Sequence, residues 1–496
     1  MSKTIRQGTN CISSGVTGLD EILCGGLTPE RLYLVEGVPG TGKTTLALSF
    51  LMEGVKQGES VLYITLSETK AELEAVAESH GWSMEGIHIH EVIPTEDFLD
   101  PAQQHTLFHP SEVELGDTTR DISSVVEQQK PSRIVIDSLS ELRLLASNAL
   151  RYRRQVLAYK QFFARRNCTV LMLDDRPDAH DMQIRSIAHG VISLEQVPQD
   201  YGVETRRLRV VKLRGIKFRG GSHDYIIERG GLVVYPRLVT GGTDVRDIKV
   251  LKQVSSGLER MDELLGGGLE VGTSTIITGA PGTGKSSLAA QFVAAAIGRG
   301  QKAAMFLFEE STNLLLNRTR AINIDLVKPL NDGQLSIKQI DPAEMSPGQF
   351  TQTVCDVVDK DGAQIVVIDS LNGYINSMPN DRFLAIHLHE LLSYLGHKDV
   401  ITLLVGVHPS MIGNIMSSAG ETSYLADNVI MMRHFEYHGE VRQAISVFKK
   451  RAGRHERTIR ELSISDQGIR IGKTLRDFHG VLTGVPTFEG KELDES

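Results

Sequence analysis

Cysteine is scarce in this chain of 496 residues, and its four copies (Cys11, Cys24, Cys168, Cys355) include no CxxC pair. That scatter argues against a zinc knuckle and against a disulfide framework. Aromatic residues make up only 5% and the net charge is −9. A nucleic-acid binder with a basic channel and stacking aromatics is therefore not expected. There is no run of about eighteen apolar residues and no charged-then-apolar leader, so neither a membrane span nor a secretory signal is expected, and the cytoplasm is the expected location.

What is present is ordinary globular material at a length that calls for more than one core. Hydrophobic residues at 41% and charged ones at 23% suit a folded chain, and 496 residues exceed the size at which a single core keeps growing. The sequence also repeats itself. Gly18-Leu19-Asp20-Glu21-Ile22-Leu23 returns as Arg260-Met261-Asp262-Glu263-Leu264-Leu265, each followed by a Gly-rich turn. Lys43 and Lys285 lie 242 positions apart, as do Asp20 and Asp262. Two tandem domains are expected, 1–245 and 246–496, joined near the Gly241-Gly242 stretch. Short apolar runs at Arg31 to Val35, Val61 to Leu66, Ile134 to Ile136 and Val170 to Leu173 read as buried parallel strands. Helical stretches at Thr44 to Lys56 and Lys70 to His80 fall between them, so the fold class is α/β with a mostly parallel twisted sheet flanked by helices.

The strongest chemical signal is GxxxxGK[ST], present as Gly37 to Thr44 and again as Gly279 to Ser286. A triphosphate needs closely approaching backbone N–H groups, which a glycine-rich turn supplies without side-chain clash. Gly37, Gly40 and Gly42 serve that need in the first copy, with Thr41 between them and Thr45 just beyond. Lys43 brings a charge to the β and γ phosphates, and the Thr44 hydroxyl reaches magnesium. Gly279, Gly282, Thr283, Gly284, Lys285, Ser286 and Ser287 repeat these positions, and the helix that opens after each loop adds its positive end. The ligands expected are ATP and Mg2+.

Each copy also has an apolar strand ending in Asp-Ser, at Asp137 and Asp369, where a carboxylate would hold the metal's water shell. Strands also end in Asp for turn reasons, but the distance after the loop favours the metal role. A carboxylate able to take a proton from the attacking oxygen is needed too. The second copy offers Glu309-Glu310 and the first, at the same offset, Ser67-Glu68, so one of the paired acids is missing. Cations near the end of each copy, Lys212 and Arg214, then Lys449 and Arg451, could neutralise charge in the transition state; any such run can be solvated surface charge, but their matching placement in both copies favours the nucleotide role.

Taken together, the GLDEIL-like entry, both glycine-rich loops, Glu309-Glu310, the two Asp-Ser strand ends and the stretch VRQAISVFKKRAGRHERTIREL from Val441 to Leu462 resemble the KaiC family over nearly the whole chain. These are double-domain RecA-like P-loop ATPases. The resemblance implies a homohexamer stacked as two rings with ATP between neighbouring subunits, reached in trans by Lys212 and Arg214 and by Lys449 and Arg451. It implies a first domain that is mainly a slow ATPase and a second that is a serine/threonine autokinase, with Glu309 as base. Laid through Asp427, which precedes an apolar strand, the family's Ser-Thr acceptor pair falls on Ser423 and Tyr424. Ser423 is the expected phosphoacceptor, and Tyr424 departs from the two-step pattern. Ser67 departs as well and is expected to slow hydrolysis in the first domain. The chain stops at Ser496, soon after Pro486, so an activator of the KaiA type that grips a longer tail is not expected, whereas a KaiB-like partner on the first ring stays open. Two rival readings stay open on the sequence: a DNA-dependent ATPase of the recombinase or helicase kind, and a non-catalytic switch in which ATP only holds an assembly together.

Overall fold

The computed structural model describes residues 11–92, 110–146, 148–175, 183–198, 202–239, 252–376, 384–407, 426–481 and 487–488. The chain divides into two compact units, Met1–Arg237 and Leu238–Ser496.

In the first unit nine strands form one sheet: β1 Leu32–Gly37, β2 Val61–Thr65, β3 Ile87–Glu91, β4 Arg133–Asp137, β5 Thr169–Asp175, β6 Gly190–Val197, β7 Thr205–Leu213, β8 Ser222–Glu228 and β9 Gly231–Tyr235. Their spatial order is β3-β2-β4-β5-β1-β6-β7-β8-β9, parallel as far as β6 and antiparallel beyond it. Parallel neighbours need crossover helices, which cover both faces of a sheet, and this is why the central strands are buried at nearly every position rather than at every second one. Alternation still decides which face each side chain meets. Tyr33 and Val35 of β1 pack with Leu46, Phe50, Tyr63, Val135 and Leu171 on one face. Leu32 and Leu34 pack with Leu62, Ile64, Ile134, Val156, Phe163 and Met172 on the other. The result is three layers, helix on sheet on helix.

The second unit repeats the plan. After a two-stranded ladder of β10 Gln253–Val254 and β11 Leu269–Glu270, its sheet comprises β12 Ser274–Gly279, β13 Lys302–Leu307, β14 Leu335–Gln339, β15 Ala363–Asp369, β16 Ile401–Val407, β17 Asn428–Tyr437, β18 Glu440–Lys450, β19 Arg460–Ser465 and β20 Gly468–Thr474. The order β14-β13-β15-β16-β12-β17-β18-β19-β20 matches the first sheet strand for strand. Both units are thus RecA-like α/β domains. The expected strands and helices are all found, with ends displaced by no more than two residues.

In each sheet the strand before the glycine-rich loop, β1 or β12, lies between a strand that follows it much later in the chain and one that follows later still. Crevices at the carboxyl ends of such strands are where open α/β sheets bind ligands. The loop turns there into a helix, Lys43–Lys56 or Lys285–Gly298.

Candidate nucleotide sites

Each loop is shaped by glycines that no other residue could replace without strain. Gly42 and Gly284, the residues just before the helices, have φ of 84° and 92°. A Cβ on Gly42 would come within 2.7 Å of Ile227 Cδ1, and one on Gly284 within 2.2 Å of Ile464 Cδ1. Left-handed backbone here is what turns successive N–H groups toward one point. The buried Thr41 and Thr283 hydroxyls do not face that point: they pin the turn, donating to Val38 O (2.8 Å) and Ala280 O (2.9 Å). Lys43 folds back over its loop, its ammonium donating to Gly37 O at 2.7 Å and Val38 O at 3.2 Å. Lys285 does the same to Ala280 O at 2.8 Å. Burial lowers the Lys285 pKa, opposed by the nearby Asp369 and Glu309 charges.

The strand-end carboxylates stand beside the loop hydroxyls. Thr44 Oγ1 lies 3.4 Å from Asp137 Oδ2, which also accepts a 2.6 Å hydrogen bond from the Tyr63 hydroxyl. In the second unit the Ser286 hydroxyl sits against Asp369. Burial pushes both aspartates above the usual carboxylate range; Tyr63 and Lys43 oppose the rise at Asp137, while Ser286 and Arg318 oppose it at Asp369. Asp369 Oδ2 is buried with no hydrogen-bond partner in the structure. A buried carboxylate oxygen left unpartnered beside a serine hydroxyl fits a hard divalent cation, which seeks such oxygen ligands directly or through water.

The three candidate acids differ in their surroundings. Glu309 is exposed and accepts a 2.7 Å hydrogen bond from Ser370 Oγ, a hydroxyl that in turn takes the Gly373 N–H at 2.9 Å. Glu310 is clamped by Arg318 through contacts of 3.1 and 2.8 Å, and Arg318 also donates to Ser287 at 2.7 Å. Glu310 is therefore occupied as an ion-pair partner, and Glu309 is the freer base of the two. Glu68, the positional counterpart of Glu310, has Val76 where the second unit has Arg318. Its Oε2 is buried without a partner, and burial first, then the Asp137 charge, raises its pKa. Thr45, the counterpart of Ser287, meets His80 Nε2 at 3.4 Å instead.

The loops, Asp137 with Glu68, and Asp369 with Glu309 and Glu310 are thus brought together, but the proposed cations are not. Lys212 pairs in register with Val191 on β6, whereas Gly37 pairs with Leu194. Those three positions put Lys212 roughly 10 Å back along the strand, toward the end of the sheet away from its own loop. Lys449 is displaced in the same sense, paired with Val429 while Gly279 pairs with Met432. Within their own units these groups bind carbonyls and carboxylates: Lys212 donates to Arg185 O (2.7 Å) and Ala188 O (2.8 Å), and Arg214 to Ser186 O (2.7 Å). Lys449 donates to Ala426 O (2.8 Å) and Arg451 pairs with Asp427 at 3.4 Å. Asp427 does precede an apolar strand, β17, but Ser423 and Tyr424 lie outside the described residues.

Two first-unit residues at the loop escape a motif reading. Asp175, at the end of β5, forms an ion pair with Lys43 at 3.0 Å and accepts from Ser140 at 2.9 Å. Burial alone would raise its pKa, but the hydrogen bonds from Lys43 and Ser140 outweigh it and leave the carboxyl below its usual range. Tyr63 is the other, and burial pushes its hydroxyl well up, so it stays a donor to Asp137. The signal for Asp175 was a second strand ending in acid, Asp174-Asp175; nothing in the sequence marked Tyr63, an apparent core aromatic.

The family model described as "ATPase: KaiC" matches residues 12–239 and 254–476. A circadian clock protein KaiC3 from Synechocystis is 26% identical over 97% of this chain and 95% of its own length. The circadian clock oscillator proteins KaiC of Parathermosynechococcus lividus and Synechococcus elongatus are each 27% identical, covering 96% and 95% of this chain and 87% and 91% of their own lengths. No helix among the described residues is long and apolar enough to cross a membrane. Two matches of one domain model in tandem, each over a complete loop-and-carboxylate site on a nine-stranded sheet, establish that this chain belongs to the KaiC family of ATPases.

Proposed function

We propose that the protein is a magnesium-dependent ATPase with one nucleotide site per unit, working as a homohexamer, and that its second unit is also a serine autokinase acting at Ser423. The observation that carries this reading is the repetition, in register, of a lysine folded over a glycine loop with a hydroxyl and a strand-end carboxylate beside it. Lys43 and Lys285 bind the β and γ phosphates, with the loop N–H groups and helix N-termini sharing the charge. Thr44 with Asp137, and Ser286 with Asp369, would hold magnesium, which when bound neutralises phosphate charge. In the second unit Glu309, oriented by Ser370, takes the proton from the attacking hydroxyl, and Arg318 keeps Glu310 from competing for that role. Lys212 and Arg214, and Lys449 and Arg451, too far from their own loops, serve the site of a neighbouring subunit. The relatives named as clock proteins support a role in timing or signalling.

Phosphate release measured on the parent, Lys43→Ala, Lys285→Ala and the double variant tests the ATPase reading. Each single variant is expected to lose part of the turnover and the double variant all of it; undiminished turnover in the double variant would overturn the reading. Intact-mass measurement after incubation with magnesium and ATP tests the kinase, with one phosphate expected on the parent and none on Glu309→Gln or Ser423→Ala.

For the first unit the non-catalytic reading has specific support. Ser67 stands where the second unit has Glu309, and Asp137 is engaged by Tyr63 where the second unit has Met305. If the first site only holds nucleotide, Lys285→Ala removes nearly all turnover while leaving one bound nucleotide per chain.

A further inference from the structure

Resting on the reading of the first unit as an ATP site, we propose that Asp175 is a specificity-determining residue there, a built-in competitor of the terminal phosphate for Lys43. The Lys43 ammonium has three N–H donors and three acceptors around it: Gly37 O, Val38 O and Asp175 Oδ1, at 2.7, 3.2 and 3.0 Å. Lys43 is 9% exposed, so water cannot substitute freely for any of these partners. A γ-phosphate reaching this lysine must take the place of the carboxylate or lie beside a second negative charge.

The chain carries its own control for this contact. Asp175 pairs in register with Gly37, and the residue paired with Gly279 in the second unit is Val407, which has no charge. The charge at this register position therefore belongs to the first unit and is not repeated in the second. Asp175 also has somewhere to go: it is 46% exposed and retains Ser140, at 2.9 Å, together with the Arg143 charge when Lys43 is taken from it. Displacement thus costs one ion pair and strands no buried charge.

The consequence falls on ATP more than on ADP. The loop lysine serves the β and γ phosphates, and ATP brings it more negative charge than ADP does, so a carboxylate already paired with the ammonium opposes ATP more strongly. Asp175 narrows the preference of the first site for ATP over ADP and lets that site respond to the ratio of the two.

The test uses the full chain carrying Lys285→Ala, so that nucleotide binding reports the first site, with magnesium-ATP and magnesium-ADP titrated by calorimetry. Asp175→Asn and Asp175→Val are expected to tighten ATP by roughly tenfold and ADP by much less, as removal of one partly exposed charge a few ångströms away would do. Asp175→Glu keeps the charge and is expected to keep the parental ATP-to-ADP ratio. ATP binding that is unchanged or weaker in both neutral variants, with parental unfolding midpoints, would overturn the proposal. So would an equal gain for ATP and ADP, or a ratio in Asp175→Glu that moves as it does in Asp175→Asn. A different failure marks the underlying reading: if parent and variants all bind no nucleotide at this site while the Lys43→Ala chain binds at the second, the first unit is not an ATP site.

Discussion

Asp137 and Asp369 occupy the same place in two copies of one fold, yet their second carboxylate oxygens differ in company: one takes a 2.6 Å hydrogen bond from Tyr63, the other has no partner. Burying an unpaired carboxylate oxygen costs stability, and the natural remedy is a cation that arrives with the nucleotide. Asp369→Asn is therefore expected to stabilise the nucleotide-free chain by about 1–2 kcal/mol in urea unfolding while abolishing magnesium-dependent nucleotide binding at the second site. Tyr63→Phe should act in the opposite direction, destabilising by about 1–2 kcal/mol because Asp137 loses its donor while remaining buried. The pH dependence follows with a definite sign. Both aspartates have folded pKa values raised by burial. The folded chain thus keeps protons that the unfolded chain has released, and stability falls as pH rises from the ordinary carboxylate range, about 4, up through the raised values. Urea midpoints measured across that window are expected to decline more steeply for the parent than for Asp137→Asn or Asp369→Asn.

At the scale of the element, what positions the chemistry is how strands end and helices begin. The helix Lys70–Ser79 starts from a capping box in which Thr69 accepts from Glu72 N–H and the Glu72 carboxylate accepts from Thr69 N–H at 2.7 Å. Glu68 immediately precedes that cap, so the cap fixes the acid as well as the helix. Thr69→Ala is expected to cost about 1 kcal/mol of stability and to lower any turnover at the first site, read in a Lys285→Ala background. Gly42→Ala is expected to cost more, about 1–3 kcal/mol, because a left-handed backbone and the 2.7 Å approach to Ile227 both oppose a methyl group. The existence, type and near-ends of these elements were legible in the sequence because apolar runs, glycine loops and Asp-Ser endings are local signals. Arg318 was not legible as the clamp on Glu310: it is eight residues downstream, and only the turn and the first helical turns beyond it bring the two side chains together. Asp175 was not legible as the partner of Lys43 for a stronger reason, since β5 and β1 become neighbours only when the sheet is assembled.

For the whole molecule, the decisive feature is the distance between each loop and the cations expected to serve it. Lys212 and Lys449 sit roughly 10 Å of strand away from the register of their own loops, and both are displaced in the same direction. If they act on a neighbouring subunit, chains carrying Lys285→Ala and chains carrying Lys449→Ala, each nearly inactive at the second site in a Lys43→Ala background, are expected to regain turnover when mixed and reassembled. Some interfaces would then combine an intact loop with an intact lysine. Turnover that stays at the level of the separate variants would place Lys449 outside the site.

The sequence by itself determined that two P-loop domains stand in tandem, where their loops and strand-end carboxylates lie, and that one copy lacks an acid. All of these are written in short contiguous stretches whose chemistry is local. Only the tertiary structure decided which carboxylate oxygens are left unpartnered, that Lys43 has a counter-ion from a strand-end position that is valine in the second unit, and that the trailing lysines lie away from their own loops. Strand order and register set those distances, and neither is fixed by any one stretch of the chain.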